Sequence, residues 1–135
     1  MIWKEKVITT GFRVHFLDIT AMVQSEVTSS GIKVGVCYLF VPHTTAGITI
    51  NENADPDVVL DMTRSLERIV PQKGDYRHLE GNSDAHLKAS IFGFSCIVPV
   101  VDGCLDLGTW QGIYFCEFDG PRKRKVKIGV MGEKE

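Results

Sequence analysis

The chain has no C-x-x-C pair, no apolar run long enough to cross a bilayer, and no glycine-rich phosphate loop of the P-loop or dinucleotide type. Each absence removes a class. Without closely paired cysteines, a zinc knuckle or a thioredoxin-type centre is not expected. The four cysteines stand apart. Cys37, Cys96 and Cys116 lie inside apolar strand-like runs and read as buried free thiols, while Cys104 follows Gly103 in a turn. No G-x-S-x-G occurs, which removes the commonest serine-hydrolase reading. Surplus positive charge is missing too: the formal net charge is −2, and generic nucleic-acid binding needs a basic field. Met1 to Lys6 has no apolar h-region of a signal peptide. The expectation is a soluble cytoplasmic protein with no nucleic-acid and no membrane partner. There is no internal repeat and no low-complexity tract. What remains is 135 residues, 44% hydrophobic and 24% charged, which suits one globular domain over residues 1–135.

Within that domain, Phe40 to Asp57 is the most informative stretch. Extended from His43 to Asn51, it turns Ala46, Ile48 and Ile50 toward a core. His43, Thr45, Thr49 and Asn51 then share the other face with Gly47, and Glu52 and Asp55 follow. That face carries no Lys or Arg, the usual coating of a solvated sheet. Short polar groups without such a coating suit a small ligand, against the plainer reading of a wet sheet face.

The rest of the chain alternates strands and short helices. Trp3–Thr10 and Phe12–Leu17 read as strands, Ala21 to Ser29 as a helix capped by Asp18 or Thr20 and closed by Gly31. Ile32–Val41, apolar on both parities, reads as a central strand buried on both faces. Asp55-Pro56-Asp57 starts a helix, with both aspartates as capping groups. Val59, Met62, Leu66 and Ile69 form its apolar side, and Pro71 ends it. Ser83 or Asp84 caps a further short helix. Phe94–Val101, a hairpin turn at Asp102-Gly103, Cys104–Leu107, Trp110–Phe118 and Arg122–Met131 complete the strands. The basic start of the last, Arg122 to Lys127, reads as a charge-defended edge strand rather than a nucleic-acid contact.

Between the two later helices, Gln72 to Ser83 has no apolar periodicity, and a loop of that length in a small domain is functional or mobile. Arg77, His78, Glu80, Asn82, Asp84 and His86 are concentrated there and just beyond. His43, His78 and His86 lack the helical spacing of an H-E-x-x-H site, so any metal would be held by residues distant in sequence. A histidine site with carboxylate help suits zinc or a similar ion. The alternatives are that these histidines hydrogen-bond a ligand or merely hold the loop.

Pro42-His43-Thr44-Thr45-Ala46, Asn51-Glu52, Asp55-Pro56, Tyr76-Arg77-His78, Glu80-Gly81-Asn82, Ala85-His86-Leu87-Lys88 and the block from Ile97 to Gly112 (with Leu107-Gly108-Thr109-Trp110-Gln111) resemble the YjbQ-like family over almost the whole chain. The resemblance implies an α+β fold, a two-sheet mostly antiparallel β-sandwich with two or three short helices, assembled as a homotrimer. It implies a weak, secondary thiamine-phosphate synthase activity, in which a hydroxymethylpyrimidine pyrophosphate and a thiazole phosphate are joined and pyrophosphate leaves. It also implies a site of histidine and acidic motifs, between subunits or within one, with a divalent metal ion such as zinc or magnesium. Under this reading His43, Glu52 and His86 are the catalytic candidates, and His43, His78 and His86 the metal ligands. Thr45, Asn51, Arg77, Glu80, Asn82, Lys88 and Gln111 are the candidates for binding a small phosphorylated substrate. Arg77, Lys88 or Arg122 would serve the pyrophosphate, and Glu52, Asn82 or Gln111 the heterocycle. The competing functions are a metal-assisted enzyme acting on another phosphorylated or heterocyclic metabolite, and a non-enzymatic trimeric binding protein.

Overall fold

The computed structural model describes residues 1–134. Its strands form two antiparallel sheets. The larger has the order β1-β8-β3-β5-β6, from β1 (Trp3–Thr9), β8 (Lys123–Glu133), β3 (Val34–Phe40), β5 (Ser95–Val101) and β6 (Cys104–Leu105). The smaller has the order β2-β7-β4, from β2 (His15–Asp18), β7 (Gln111–Glu117) and β4 (Ala46–Glu52). Helix α1 (Thr20–Ser30) packs its Val23 and Val27 into the core between the sheets. Helices α2 (Pro56–Ile69) and α3 (Ser83–Phe92) cover the far face of the smaller sheet.

The main core lies between the sheets. Ile8, Cys37, Leu39, Val98, Val100, Val126 and Ile128 of the larger sheet meet Ala46, Ile48, Ile113 and Phe115 of the smaller one. A second core lies between the smaller sheet and the helices, where Phe16, Tyr114, Cys116 and Phe118 meet Ala85 and Ala89. The smaller sheet is therefore apolar on both faces, and β7 reads as a near-continuous hydrophobic run for that reason. Burial pushes the Cys37 thiol up to about 12, helped by Cys96, so it is a packing group and not a nucleophile.

Several local expectations hold. Asp55 Oδ1 accepts from the Asp57 N–H at 2.9 Å with Pro56 opening α2, and Gly31 closes α1 at φ 73°. Asp102 and Gly103, at φ 52° and 74°, turn β5 into β6. Others are corrected. β8 is not an edge: it pairs with β1 on one side and β3 on the other, and the edges of that sheet are β1 and β6. β3 is central but open on one face, with Val34, Val36, Tyr38 and Phe40 turned away from the core. Helix α3 is preceded by Asn82 with no side-chain cap bond, so neither Ser83 nor Asp84 caps it. Ile69, expected on the apolar side of α2, is exposed at the helix's last position, while Val59, Met62 and Leu66 pack against the second core.

The open face of the larger sheet is strongly apolar. Register places Trp3, Gly129, Tyr38 and Ile97 in one row across four strands, and Met131, Val36 and Pro99 in the next. Trp3 lies over Gly129, where a Cβ would meet its ring at 3.0 Å.

Candidate functional site

Two passages of the chain from one sheet to the other build the site. After Phe40 the chain leaves β3, and Pro42, which has no N–H to continue a ladder, helps end the pairing. Residues 41–45 then cross to β4. On the return, β7 ends at Glu117, turns through Asp119-Gly120-Pro121 and enters the larger sheet as β8. Gly120 is required there, since a Cβ would sit 2.4 Å from the Phe12 carbonyl oxygen. The crossings lie side by side: the Lys125 N–H donates to His43 Nε2 at 2.9 Å, and Arg124 Nη2 donates to Thr45 Oγ1 at 2.8 Å. The 72–82 loop and the first turn of α3 form the opposite wall.

Between them is a cleft of about 1010 Å³. Its polar lining brings together His43, Thr44, Thr45, His78, Glu80, Asn82, His86, Asp119, Arg122 and Arg124. Phe40 and Phe94 supply an apolar wall, edge to face with ring centroids 5.9 Å apart. His78 and His86 are also edge to face, at 5.4 Å.

Beneath the cleft is a buried ion pair. Glu117 is 0% exposed and Arg124 4%. Arg124 donates to both carboxylate oxygens, from Nε at 2.8 Å and from Nη2, a side-on bidentate pair. Thr10 Oγ1 (2.8 Å) and the Asp119 N–H (3.0 Å) also donate to that carboxylate. Burial alone would raise the Glu117 carboxyl, but the hydrogen bonds from Arg124, Asp119 and Thr10 outweigh it and hold the group below its ordinary range. The His43 imidazole is shifted down by burial first and by the Arg124 charge second, so it is neutral at pH 7.

A second network lies beside the first. Lys88, 1% exposed, bonds Asp84 Oδ2 at 3.0 Å and Glu67 Oε2 at 3.2 Å. Asp84 Oδ1 accepts from Arg13 Nη2 at 3.0 Å, and Arg13 Nη1 reaches Asp119 Oδ1 at 3.2 Å. Asp119 Oδ2 in turn accepts from Asn82 Nδ2 (2.9 Å) and Arg122 Nη2 (3.1 Å). This chain of alternating charges ties α2 and α3 to the floor of the cleft.

Of the residues singled out in the sequence, His43, Thr45, His78, Glu80, Asn82 and His86 meet in the cleft. The others do not line it. Lys88 is sealed between carboxylates. Glu52 and Asn51 sit at the far end of β4, where Glu52 pairs with Gln111 and Asn51 bonds Met62 Sδ. Gln111 itself accepts from the Gly108 N–H. The strand carries these three away from the cleft at over 3 Å per residue. Arg77 lines a neighbouring depression that shares His78 and His86. The polar face of β4 is mostly covered, since α3 packs on Gly47 so closely that a Cβ would sit 2.7 Å from the Gly93 oxygen. Glu117, Asp119 and Arg124 were missed, and Arg122 was considered only as a pyrophosphate helper. The signal was present: a carboxylate inside the apolar run of β7 needs a buried cation, and Arg124 shares parity with the core residues Val126 and Ile128.

The three-histidine metal set does not fit this chain. Among the described residues, no three His, Cys, Asp or Glu side chains gather closely enough to hold a metal ion. A neutral imidazole has one ring-nitrogen lone pair to offer, and that of His43, on Nε2, already accepts the Lys125 N–H.

A sandwich of two antiparallel sheets, with helices on one side and a polar cleft where the chain passes between sheets, defines the class. The family model described as "UPF0047 protein YjbQ-like" matches residues 4–133, and the chain belongs to that family. It is 52% identical to UPF0047 protein YugU of Bacillus subtilis, over 93% of this chain and 96% of that one. It is 49% identical to UPF0047 protein MJ1081 of Methanocaldococcus jannaschii, over 94% and 92%. Among solved structures, a YjbQ/UPF0047 family protein of Clostridium acetobutylicum superposes with a TM-score of 0.93 at 52% identity, over 95% of this chain and 99% of that one. A YbjQ-like protein of Sulfolobus solfataricus also gives 0.93, at 33% identity over 98% and 97%. No helix among the described residues is long and apolar enough to cross a membrane.

Proposed function

We propose that this protein is a transferase acting on small phosphorylated heterocycles, with thiamine-phosphate synthesis as its activity. The supporting observation is that one cleft joins two guanidiniums, Arg122 and Arg124, and three imidazoles to the aromatic pair Phe40–Phe94. The cations and N–H donors suit phosphoryl oxygens, and the rings suit a flat heterocycle. In the reaction the thiazole nitrogen bonds the methylene carbon of the pyrimidine, the carbon–oxygen bond breaks, and its electron pair leaves with pyrophosphate. The thiazole nitrogen carries no proton, so no base is needed at that atom. What the step needs is stabilisation of charge growing on the leaving oxygen, which Arg122 and Arg124 are placed to give. His86 and His78 supply further N–H donors from the opposite wall.

The proposed assembly is a homotrimer. Its support is the contiguous apolar row Trp3–Tyr38–Ile97 on the open sheet face, where Trp3 and Ile97 are exposed, the kind of patch that marks an interaction surface. Phe40 stands between that face and the cleft, so covering the face also narrows the site.

The test is to incubate purified protein with the hydroxymethylpyrimidine pyrophosphate and the thiazole phosphate, following thiamine phosphate and pyrophosphate together. Both products are expected in equal amounts, with turnover at least about tenfold lower in His86→Ala. No product, or turnover untouched by His86→Ala and His43→Ala, overturns the reading.

A further inference from the structure

At the β8 end of the cleft, two lining residues held by the same pair of crossings each keep a donor with no protein partner. Glu117 and Thr45 take Nε and Nη2 of Arg124, and no protein acceptor takes Nη1. In His43 the Lys125 N–H fixes Nε2 as the acceptor, so the ring hydrogen sits on Nδ1, which also has no protein partner. Neither atom is sealed from solvent, because the only buried side-chain polar atom without a partner among the described residues is Asn82 Oδ1. Arg124 lines the cleft, and a guanidinium this deeply buried with a nitrogen that is neither paired nor sealed can receive an acceptor there.

We propose that His43 Nδ1–H and Arg124 Nη1–H together form a phosphoryl-binding subsite, in which His43 is a neutral hydrogen-bond donor and not a metal ligand. The assignment rests on the proposed function only for the identity of the physiological ligand. The subsite itself is defined by oxygen acceptors on a phosphate or pyrophosphate. The cleft is divided accordingly. Asp119, the carboxylate that lines the cleft on this side, is already surrounded by Arg13, Asn82 and Arg122. Glu80 belongs to the opposite wall, beside His78 at 3.8 Å. The anion-receiving end is thus the corner where the two sheet crossings meet.

Isosteric substitutions separate the two nitrogens. In His43→Gln the side-chain oxygen takes the place of Nε2 and keeps the Lys125 contact while the Nδ1 donor is lost. In His43→Asn the amide N–H takes the place of Nδ1, and the Lys125 N–H loses its acceptor. Inorganic pyrophosphate is the probe, titrated by calorimetry alongside thermal melts. Binding is expected to weaken about tenfold or more in His43→Gln, with the melting temperature nearly unchanged. His43→Asn is expected to bind within about threefold of the parent and to melt lower. Two-bond nitrogen–proton spectra of the unsubstituted protein read the tautomer directly, and the Nδ1–H form is expected. The Nε2–H form, wild-type pyrophosphate affinity in His43→Gln, or no pyrophosphate binding by the parent protein each overturns the assignment. Pyrophosphate binding that depends on His43, in a protein that makes no thiamine phosphate, would sink the proposed activity and leave this subsite standing. Thiamine-phosphate synthesis unaffected by His43→Gln would do the reverse.

Discussion

Arg124 and Lys88 are both cations held inside the protein, each against a carboxylate that is 0% exposed. Their surroundings differ in one respect. Lys88 belongs to α3, with Asp84 of the same helix and Glu67 of α2 closing over its ammonium, while Arg124 lines the cleft and keeps one nitrogen without a protein partner. The guanidinium makes this possible: its planar fork can satisfy a buried carboxylate with one edge and still offer another. The ammonium of Lys88 is one compact nitrogen, sealed between its two carboxylates away from the cleft. Burial of a charge therefore does not mark a functional residue by itself; what distinguishes Arg124 is the donor left over after its partner is satisfied.

The most damaging way to probe this comparison is to strip Asp84. Asp84→Ala would leave Lys88 without its closest partner and free Arg13 Nη2 from the same carboxylate. A loss of about 3–5 kcal/mol is expected, as for any buried pair broken from one side. Urea unfolding measures it, and a loss below about 1 kcal/mol would mean that the network is solvated. The double change Asp84→Leu with Lys88→Met removes both charges and is expected to recover much of the loss.

Next in size is Gly47→Ala, which separates the two ends of the β4 region. At Gly47 the strand is pressed against α3, with the Gly93 oxygen and Phe92 Cβ in the way of a methyl group. A destabilisation of about 1–3 kcal/mol is expected from overpacking. Equal stability of the variant in denaturant would show that α3 can move off the strand.

This contrast along β4 also explains what could be read in advance. The alternation from Ala46 to Ile50, the Asp55-Pro56 helix start and the Asp102-Gly103 turn are local signals, and all three hold. The convergence of His43 with His78 and His86 is foreshadowed by two clusters of polar residues, one on the polar face of the alternating His43–Asn51 stretch and one in and just beyond the unpatterned 72–83 loop. What the opposite face of β4 packs against is a long-range fact. A Thr49 or an Asn51 looks the same whether helix or ligand covers it, and within one chain Asn51 and Glu52 do not line the cleft that His43 enters. Lys88 and Arg124 could not be ranked for the same reason. Their partners Asp84 and Glu117 are 4 and 7 residues away, but the free edge of Arg124 depends on where residues 41–45 cross between sheets.

The effect on binding sharpens the comparison without threatening the fold. Arg124→Lys keeps the charge against Glu117 and loses the fork, so pyrophosphate affinity is expected to fall about tenfold or more. Lys88→Met, on the buried side of α3, is expected to leave that affinity unchanged. Calorimetric titration of both variants reads the difference directly. Equal loss in the two would show that the networks act as one unit.

The smallest expected effect is on the pH dependence of stability, and its sign follows from two groups at the corner. His43 is held below its ordinary value by burial and by the Arg124 charge, so between its folded value and the unfolded value near 6.5 the unfolded chain binds more protons. Its contribution is complete above pH 6.5 and is lost on acidification through the folded value. Glu117 is also held low, by Arg124, Asp119 and Thr10 acting against burial, so its contribution is present above its unfolded value of 4.5 and is lost further into acid. Both terms have the same sign, and stability is expected to fall in two stages as pH drops, first below 6.5 and then below 4.5. His43→Gln cannot titrate and should remove the first stage alone, while Glu117→Gln should shrink the second, to which Glu67, held low by the Gln72 N–H and by Lys88, also contributes, at the cost of an uncompensated Arg124. Urea midpoints measured from pH 8 to pH 3 decide the matter: a first stage that survives in His43→Gln belongs to another group, and His43 is then not the neutral, backbone-anchored ring on which the distinction between the two cations depends.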